Sequence, residues 1–158
     1  MDSLEIVRQV VDETLRKQKN KKVRRCGFVH LYGVSMTSNL IAIKRGLDPK
    51  LASTAAMLHD IWNYKVESTD DHAMLSSVEA KNILKQLEIF TKEEIDIICG
   101  AIFNHSDKGN IHKEYDELLK DADVLQHYLY NVSFDIKEHE KDRLRKVLLE
   151  LDIELENL

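Results

Sequence analysis

The chain has 158 residues, 43% hydrophobic and 32% charged, with a net charge of −5 and a pI of about 5.8. That length fits one ordinary domain with a core of its own. The acidic balance excludes the basic face of a dedicated duplex-DNA binder, and no apolar run is expected to reach the ~20 residues of a bilayer span. Met1 to Val11 carries Asp2, Glu5 and Arg8 and lacks a continuous apolar stretch, so no signal peptide is expected. Cys26 and Cys99 form no Cys-x-x-Cys motif, which suits a reducing cytoplasm.

Five glycines and one proline are too few for an all-β chain with its many turns. The periodicity predicts about seven helices in a single all-α domain. A first helix spans roughly Ser3 to Lys17, with Leu4, Val7, Val11 and Leu15 at helical spacing. Between it and the second lies Arg16 to Arg25, which holds seven cations and no acid. It reads either as a solvated inter-helix loop with a cationic helix end or as a collar for an anionic substrate. The second helix runs from about Phe28 to Arg45 and stops at Gly46. The third opens with Asp48 as cap and Pro49 in its first position and reaches His59 or Ile61. The fourth runs from Asp70 or Asp71 to about Leu87. The fifth begins with a Thr91–Glu94 capping box and ends near Ser106. The sixth covers about Lys113 to Tyr130. The seventh covers about 137–155, with Leu144, Leu148, Leu151 and Leu155 as its stripe. No segment reads as a strand.

The chemistry sits in the doublet His59-Asp60, with His30 before it and His72, His105 and Asp123 after it. Ala52, Ala55, Ala56 and His59 share one face of the third helix; Ile98, Ala101, Ile102 and His105 share one face of the fifth. His30 shares a face with Gly33, Val34, Thr37 and Ile41, and Asp123 stacks one turn after Leu119. A single histidine on an apolar face is usually a hydrogen-bonded core residue, and a single helical Asp is usually solvated. Jointly the pattern points elsewhere. Buried carboxylates are costly unless compensated, and imidazole with carboxylate is the donor set of a hard-to-borderline divalent cation. His112, His127 and His139 read as structural, although His127, four residues after Asp123, is also within reach of a supporting role.

These segments resemble the HD-domain superfamily of metal-dependent phosphohydrolases. The resemblance covers roughly residues 24–130 and is carried by His30-Leu-Tyr-Gly-Val-Ser, Ala55-Ala-Met-Leu-His59-Asp60-Ile, Asn104-His105-Ser-Asp-Lys108 and Lys120-Asp-Ala-Asp123-Val-Leu. It implies an HD-like helical bundle over residues 1–158, with a helix at about 137–155 packed on the core. It implies that His30, His59, Asp60 and Asp123 bind a divalent ion (Mn, Fe, Mg, Ni, Co or Zn). Asp121 is a second candidate for the late position, but the Ala-Asp-x-Leu context favours Asp123. His72 and His105 sit where family members with a longer ligand set hold a second metal or contact phosphate. The chain lacks the Gly-Tyr-Pro signature of the cyclic-dinucleotide branch, its only proline being Pro49.

The resemblance therefore implies a phosphohydrolase acting on a phosphomonoester, phosphodiester or nucleotide through a metal-activated water. Asp60, His72, His105 and Lys108 are its catalytic candidates. Lys108 would meet a phosphate oxygen as a point charge, with Arg24 and Arg25 as weaker candidates for the same contact. The expected partner is a small phosphorylated substrate, with no duplex nucleic acid and no membrane. The alternatives are a di-iron oxygenase of the same fold and a non-catalytic HD-type regulatory module.

Overall fold

The computed structural model describes residues 2–66 and 70–153. Among these, eight helices and no strand occur: α1 (Ser3–Lys17), α2 (Lys21–Arg45), α3 (Pro49–Leu58), α4 (Ile61–Val66), α5 (His72–Leu87), α6 (Lys92–Asn104), α7 (Glu114–Tyr130) and α8 (Glu138–Glu150). The all-α expectation holds. The end of the expected seventh helix, with Leu155, lies outside the described residues.

Two differences from the sequence reading have local causes. The basic segment is not a loop. Asn20 caps α2, its side chain accepting from the backbone N–H groups of Lys22 and Val23, so only residues 18–20 separate the first two helices. Lys and Arg are good helix formers, and a cationic run does not forbid a helix start. The third helix ends close to the expected His59, but an unexpected short helix follows it. His59 caps the C-terminus of α3, Asp60 lies in the turn, and a short α4 follows. The doublet thus sits at a corner between helices.

α2 is the axis of the bundle, with α3 and α7 packed along it. Its 25 residues include Cys26 to Ile43, a run without Asp, Glu, Lys or Arg. By length and composition alone α2 could cross a membrane, which corrects the expectation that no apolar run comes near that length; 44% of its most apolar window is buried inside the protein. Val34, Thr37 and Ile41, the expected companions of His30, are buried, and Thr37 Oγ1 donates to the carbonyl of Ala122 on α7. Gly33 makes the close approach possible. A Cβ there would stand 2.8 Å from Cγ of Gln126 on α7. Gly46, at φ +68°, ends α2 in the left-handed conformation that glycine adopts without strain.

α3 is buried along its whole second half and more, from Leu51 to Leu58. Its small residues Ala52, Ala55 and Ala56 let α2 and α6 close on it. The Thr91–Glu94 capping box starts α6 as expected. α8 packs on α7 and is fastened by ion pairs: Arg143 to Glu117 and Asp121, and Arg45 of α2 to Asp121 and Glu150.

Candidate metal centre

Five helices or their ends bring the expected residues to one point. His30 comes from the middle of α2, His59 and Asp60 from the α3–α4 corner, His72 from the first residue of α5, His105 from the C-cap of α6 and Asp123 from the middle of α7. His30 Nε2 lies 3.4 Å from Asp60 and 3.6 Å from Asp123. His59 Nε2 lies 3.6 Å and 3.9 Å from the same two carboxylates. On its other oxygen, Asp60 meets His105 Nε2 at 3.5 Å and His72 Nε2 at 3.8 Å. Asp60 is the hub, within 4 Å of four imidazoles.

The second nitrogen of each ring decides what the first can do. His30 Nδ1 donates to the Gln126 side-chain oxygen at 2.8 Å, His59 Nδ1 to the carbonyl of Ala56 at 2.7 Å, and His105 Nδ1 to the carbonyl of Ile102 at 2.7 Å. In the neutral ring one nitrogen carries the proton and the other a lone pair. All three imidazoles therefore aim an Nε2 lone pair at the carboxylates, and those of His30 and His59 face each other at 3.0 Å. This array of lone pairs and negative oxygens is mutually repulsive without a cation. It is buried as well: His59 is 1% and Asp123 4% exposed, and Asp60 Oδ1 and Asp123 Oδ1 have no hydrogen-bond partner among the described residues. The donor set, the tautomers and the two orphaned oxygens all fit a divalent ion.

Electrostatics agree with that polarity. Burial pushes the His59 imidazole down to about 4, so the ring is neutral and ligand-ready at physiological pH. His30 is raised, since hydrogen bonding and charge from Asp60 and Asp123 outweigh its desolvation. Burial alone would raise Asp60, yet the surrounding imidazoles hold its carboxyl well below the usual range. Asp123 is lowered too, burial being outweighed first by Lys108 and then by the histidines.

Three groups of donor atoms are close enough to share an ion: His30, His59 and Asp60; Asp60, His72 and His105; His30, Asp123 and His127. The first two hold residues singled out in the sequence. The third brings in a residue that sequence reading set aside as structural. His127 Nε2 is 3.3 Å from Asp123, and its ring stacks on that of His30. The available signal was its spacing of one helical turn from Asp123. Glu140 of α8, which reaches His127 at 3.4 Å, carried no such signal.

Lys108 is at the centre but is already engaged. Its Nζ lies 2.7 Å from Asp123 Oδ2, and its backbone carbonyl accepts from Arg143. The loop that carries it is pinned by the fully buried Lys120, whose ammonium meets the Asn110 carbonyl, His112 and Glu117. His112 is thereby structural, as expected, and His139 is exposed. A cavity of about 480 Å³ opens beside His30, Asp60 and His127, walled by Val29, Tyr64, Tyr128, Tyr130, Phe134 and Ile136. From the first turns of α2 it is lined by Cys26, Val29 and His30, not by Arg24 or Arg25. Arg24 instead donates to the Gln18 carbonyl.

Residues 27–128 match the family model of the HD domain. The chain belongs to the HD domain family. The HD match takes in every residue of the cluster except Glu140 and stops before α8. The chain is 29% identical over 121 residues to the Bacillus subtilis (strain 168) protein named "Putative phosphohydrolase YueE", covering 66% of this chain and 68% of that one. Its fold is similar to the crystal structure of a protein described as an HD superfamily hydrolase from an uncultured Thermotogales bacterium, with a TM-score of 0.62, 19% identity and 96% of each chain covered. HD domains bind divalent metals, and this one presents His and Asp groups able to hold one. In the general sense it is a metal-dependent hydrolase.

Proposed function

We propose that this HD domain is a phosphohydrolase that cleaves a small phosphoester, nucleotides included. The observation that carries the reading is the convergence of three imidazole lone pairs and two carboxylates, each with one buried oxygen lacking a hydrogen-bond partner among the described residues, beside an open cavity. His30, His59, Asp60 and Asp123 would hold the ion, with Asp60 turning its second oxygen toward His72 and His105 for a further one. A divalent ion bound there supplies Lewis acidity to a phosphoryl oxygen and a bound water of lowered pKa.

The chain's own residues account for the rest. Gln126, Ala56 and Ile102 fix the three ring tautomers. Lys108 steadies Asp123 through their ion pair, so its role shifts from the phosphate contact expected from sequence to holding a ligand in place. Lys137 lines the cavity and would be the cation available to a phosphate there. Val29, Tyr130, Phe134 and Ile136 give the organic part of the substrate an apolar surface that excludes water. Its volume lies within the usual range of small-molecule sites. The same reading puts the work in the cytoplasm, on a small phosphorylated molecule and not on duplex nucleic acid or a membrane. The net charge of −5 and the two free cysteines support it.

The relative's name, a phosphohydrolase, supports the same reaction class. The test is elemental analysis of the purified protein, followed by assay of the metal-loaded form on generic phosphoesters and a broad nucleotide panel. Metal bound near stoichiometry and release of phosphate from at least one class is expected. Hydrolysis of none of them by fully loaded protein would overturn the reading.

A further inference from the structure

α8 lies outside the segment that matches the HD domain, yet it sends one carboxylate to the centre. Glu140 is only 3% exposed. Its Oε1 stands 3.4 Å from His127 Nδ1 and 3.9 Å from Lys108 Nζ. A carboxylate so deeply buried is unfavourable unless positive groups surround it. The exposed His139 also lies 3.9 Å from it, but the other two neighbours lead on to Asp123. His127 meets Asp123 Oδ1 at 3.3 Å, and Lys108 meets Oδ2 at 2.7 Å. His127 Nδ1 is buried and has no hydrogen-bond partner among the described residues; the Glu140 carboxylate faces it at ion-pair distance. Its ring lies nearly parallel to that of His30, with centroids 5.5 Å apart. The donor atoms of His30, Asp123 and His127 all fall within 4.8 Å of one another.

We propose that Glu140 is a positioning residue of the metal centre, holding His127 so that its Nε2 joins His30 and Asp123 as an added ligand. The proposal rests on the metal reading of the site. By drawing the Nδ1 proton to itself, Glu140 leaves the Nε2 lone pair directed at the centre. A carboxylate behind a ligating imidazole fixes its tautomer and orientation and raises its basicity, and losing such a partner weakens metal binding about 10–100-fold. The consequence is that the HD core alone carries an incomplete centre, which α8 finishes.

The test measures Mn²⁺ affinity of the full chain by chelator competition, with metal content per chain by elemental analysis. Glu140→Gln and His127→Ala should each weaken the ion held by this group about 10–100-fold. The double variant should be no weaker than His127→Ala alone, because the two residues act as one unit. Glu150→Gln is the control for loosening α8: it should lower the melting temperature and leave Mn²⁺ affinity within about twofold. Should Glu140→Gln fail to fold by circular dichroism, Glu140→Asp keeps the charge, shortens the reach and should still weaken binding. Affinity within about twofold of the parent in whichever Glu140 variant folds, or additive losses in the double variant, would overturn the proposal while leaving the metal site intact. A parent protein that binds no Mn²⁺ or other divalent ion would overturn both.

Discussion

Asp121 and Asp123 stand two residues apart on α7 and do opposite work. Asp121 faces α2 and α8, where the guanidinium groups of Arg45 and Arg143 take both of its oxygens. Asp123 is turned by about 200° around the helix and faces the imidazoles, with Oδ1 lacking any hydrogen-bond partner. The guanidinium partners are permanently charged, so the Asp121 site is neutralised within the protein itself. At Asp123 only Oδ2 has a cation, Lys108, while Oδ1 faces imidazoles. The comparison teaches that a buried carboxylate is structural where both oxygens meet positive charge. It is a candidate ligand where one oxygen is left facing lone pairs.

The largest expected effects break the ligand side. Asp60→Ala removes the hub of four imidazoles and half of the carboxylate charge aimed at the ion. It should give a helical, soluble protein with little bound metal and activity lower by about 100-fold or more. Asp123→Asn should behave alike. Metal content per chain and far-ultraviolet circular dichroism together decide it; full occupancy in Asp60→Ala would show that the ion is held elsewhere.

Asp121→Asn should reverse the pattern. Metal content and activity stay near the parent level, while stability falls by about 1–3 kcal/mol as Arg45 and Arg143 lose their shared acceptor. Urea unfolding beside elemental analysis checks both halves, and loss of metal without loss of stability would erase the contrast between the two aspartates. His72→Ala and His105→Ala should be milder than Asp60→Ala. Both stand at the oxygen of Asp60 that faces away from His30 and His59, so the variants should keep at least one ion per chain and lose activity about tenfold.

The smallest effect is one of pH, on the structural side. Glu117 is lowered although burial raises it, because Lys120, the His112 backbone and Arg143 outweigh that burial; Glu150 is lowered chiefly by Arg45. A carboxyl lowered in the folded state adds stability above its ordinary value near 4.5 and loses it as pH falls through the lowered value. Metal-free protein should therefore loosen α8 first on acidification below about 4.5, seen as early loss of amide protection in residues 138–150. Simultaneous loss across α2 and α8 would mean that the ion pairs are not what fastens this helix.

Much of this was legible in the chain before folding was considered. Helical periodicity, the Pro49 start and the Thr91 capping box follow from local backbone chemistry, so they read directly from short windows. The candidate ligands His30, His59, His105 and Asp123 were legible because each sits on a helix face whose other residues are apolar or small, while Asp60 followed from its place beside His59 and His72 from the family resemblance. The errors arose where local pattern and structure part. A cationic run looked like a loop until Asn20 capped it into α2, and the short α4 after the His59-Asp60 corner was not expected.

The sequence by itself determined an all-helical domain, since that depends on spacing within single helices, and it pointed to six candidate metal-facing side chains through that spacing together with the family resemblance. Only the tertiary structure decided which ring nitrogens point inward, that Lys108 pairs with Asp123, and that His127 and Glu140 lie beside Asp123. Those outcomes depend on contacts between elements far apart in the chain, such as His30 with Gln126, 96 residues away. No periodicity within one helix encodes such a contact; it is set by how closely Gly33 lets α2 and α7 approach and by where the ion pairs of Arg45 and Arg143 dock α8.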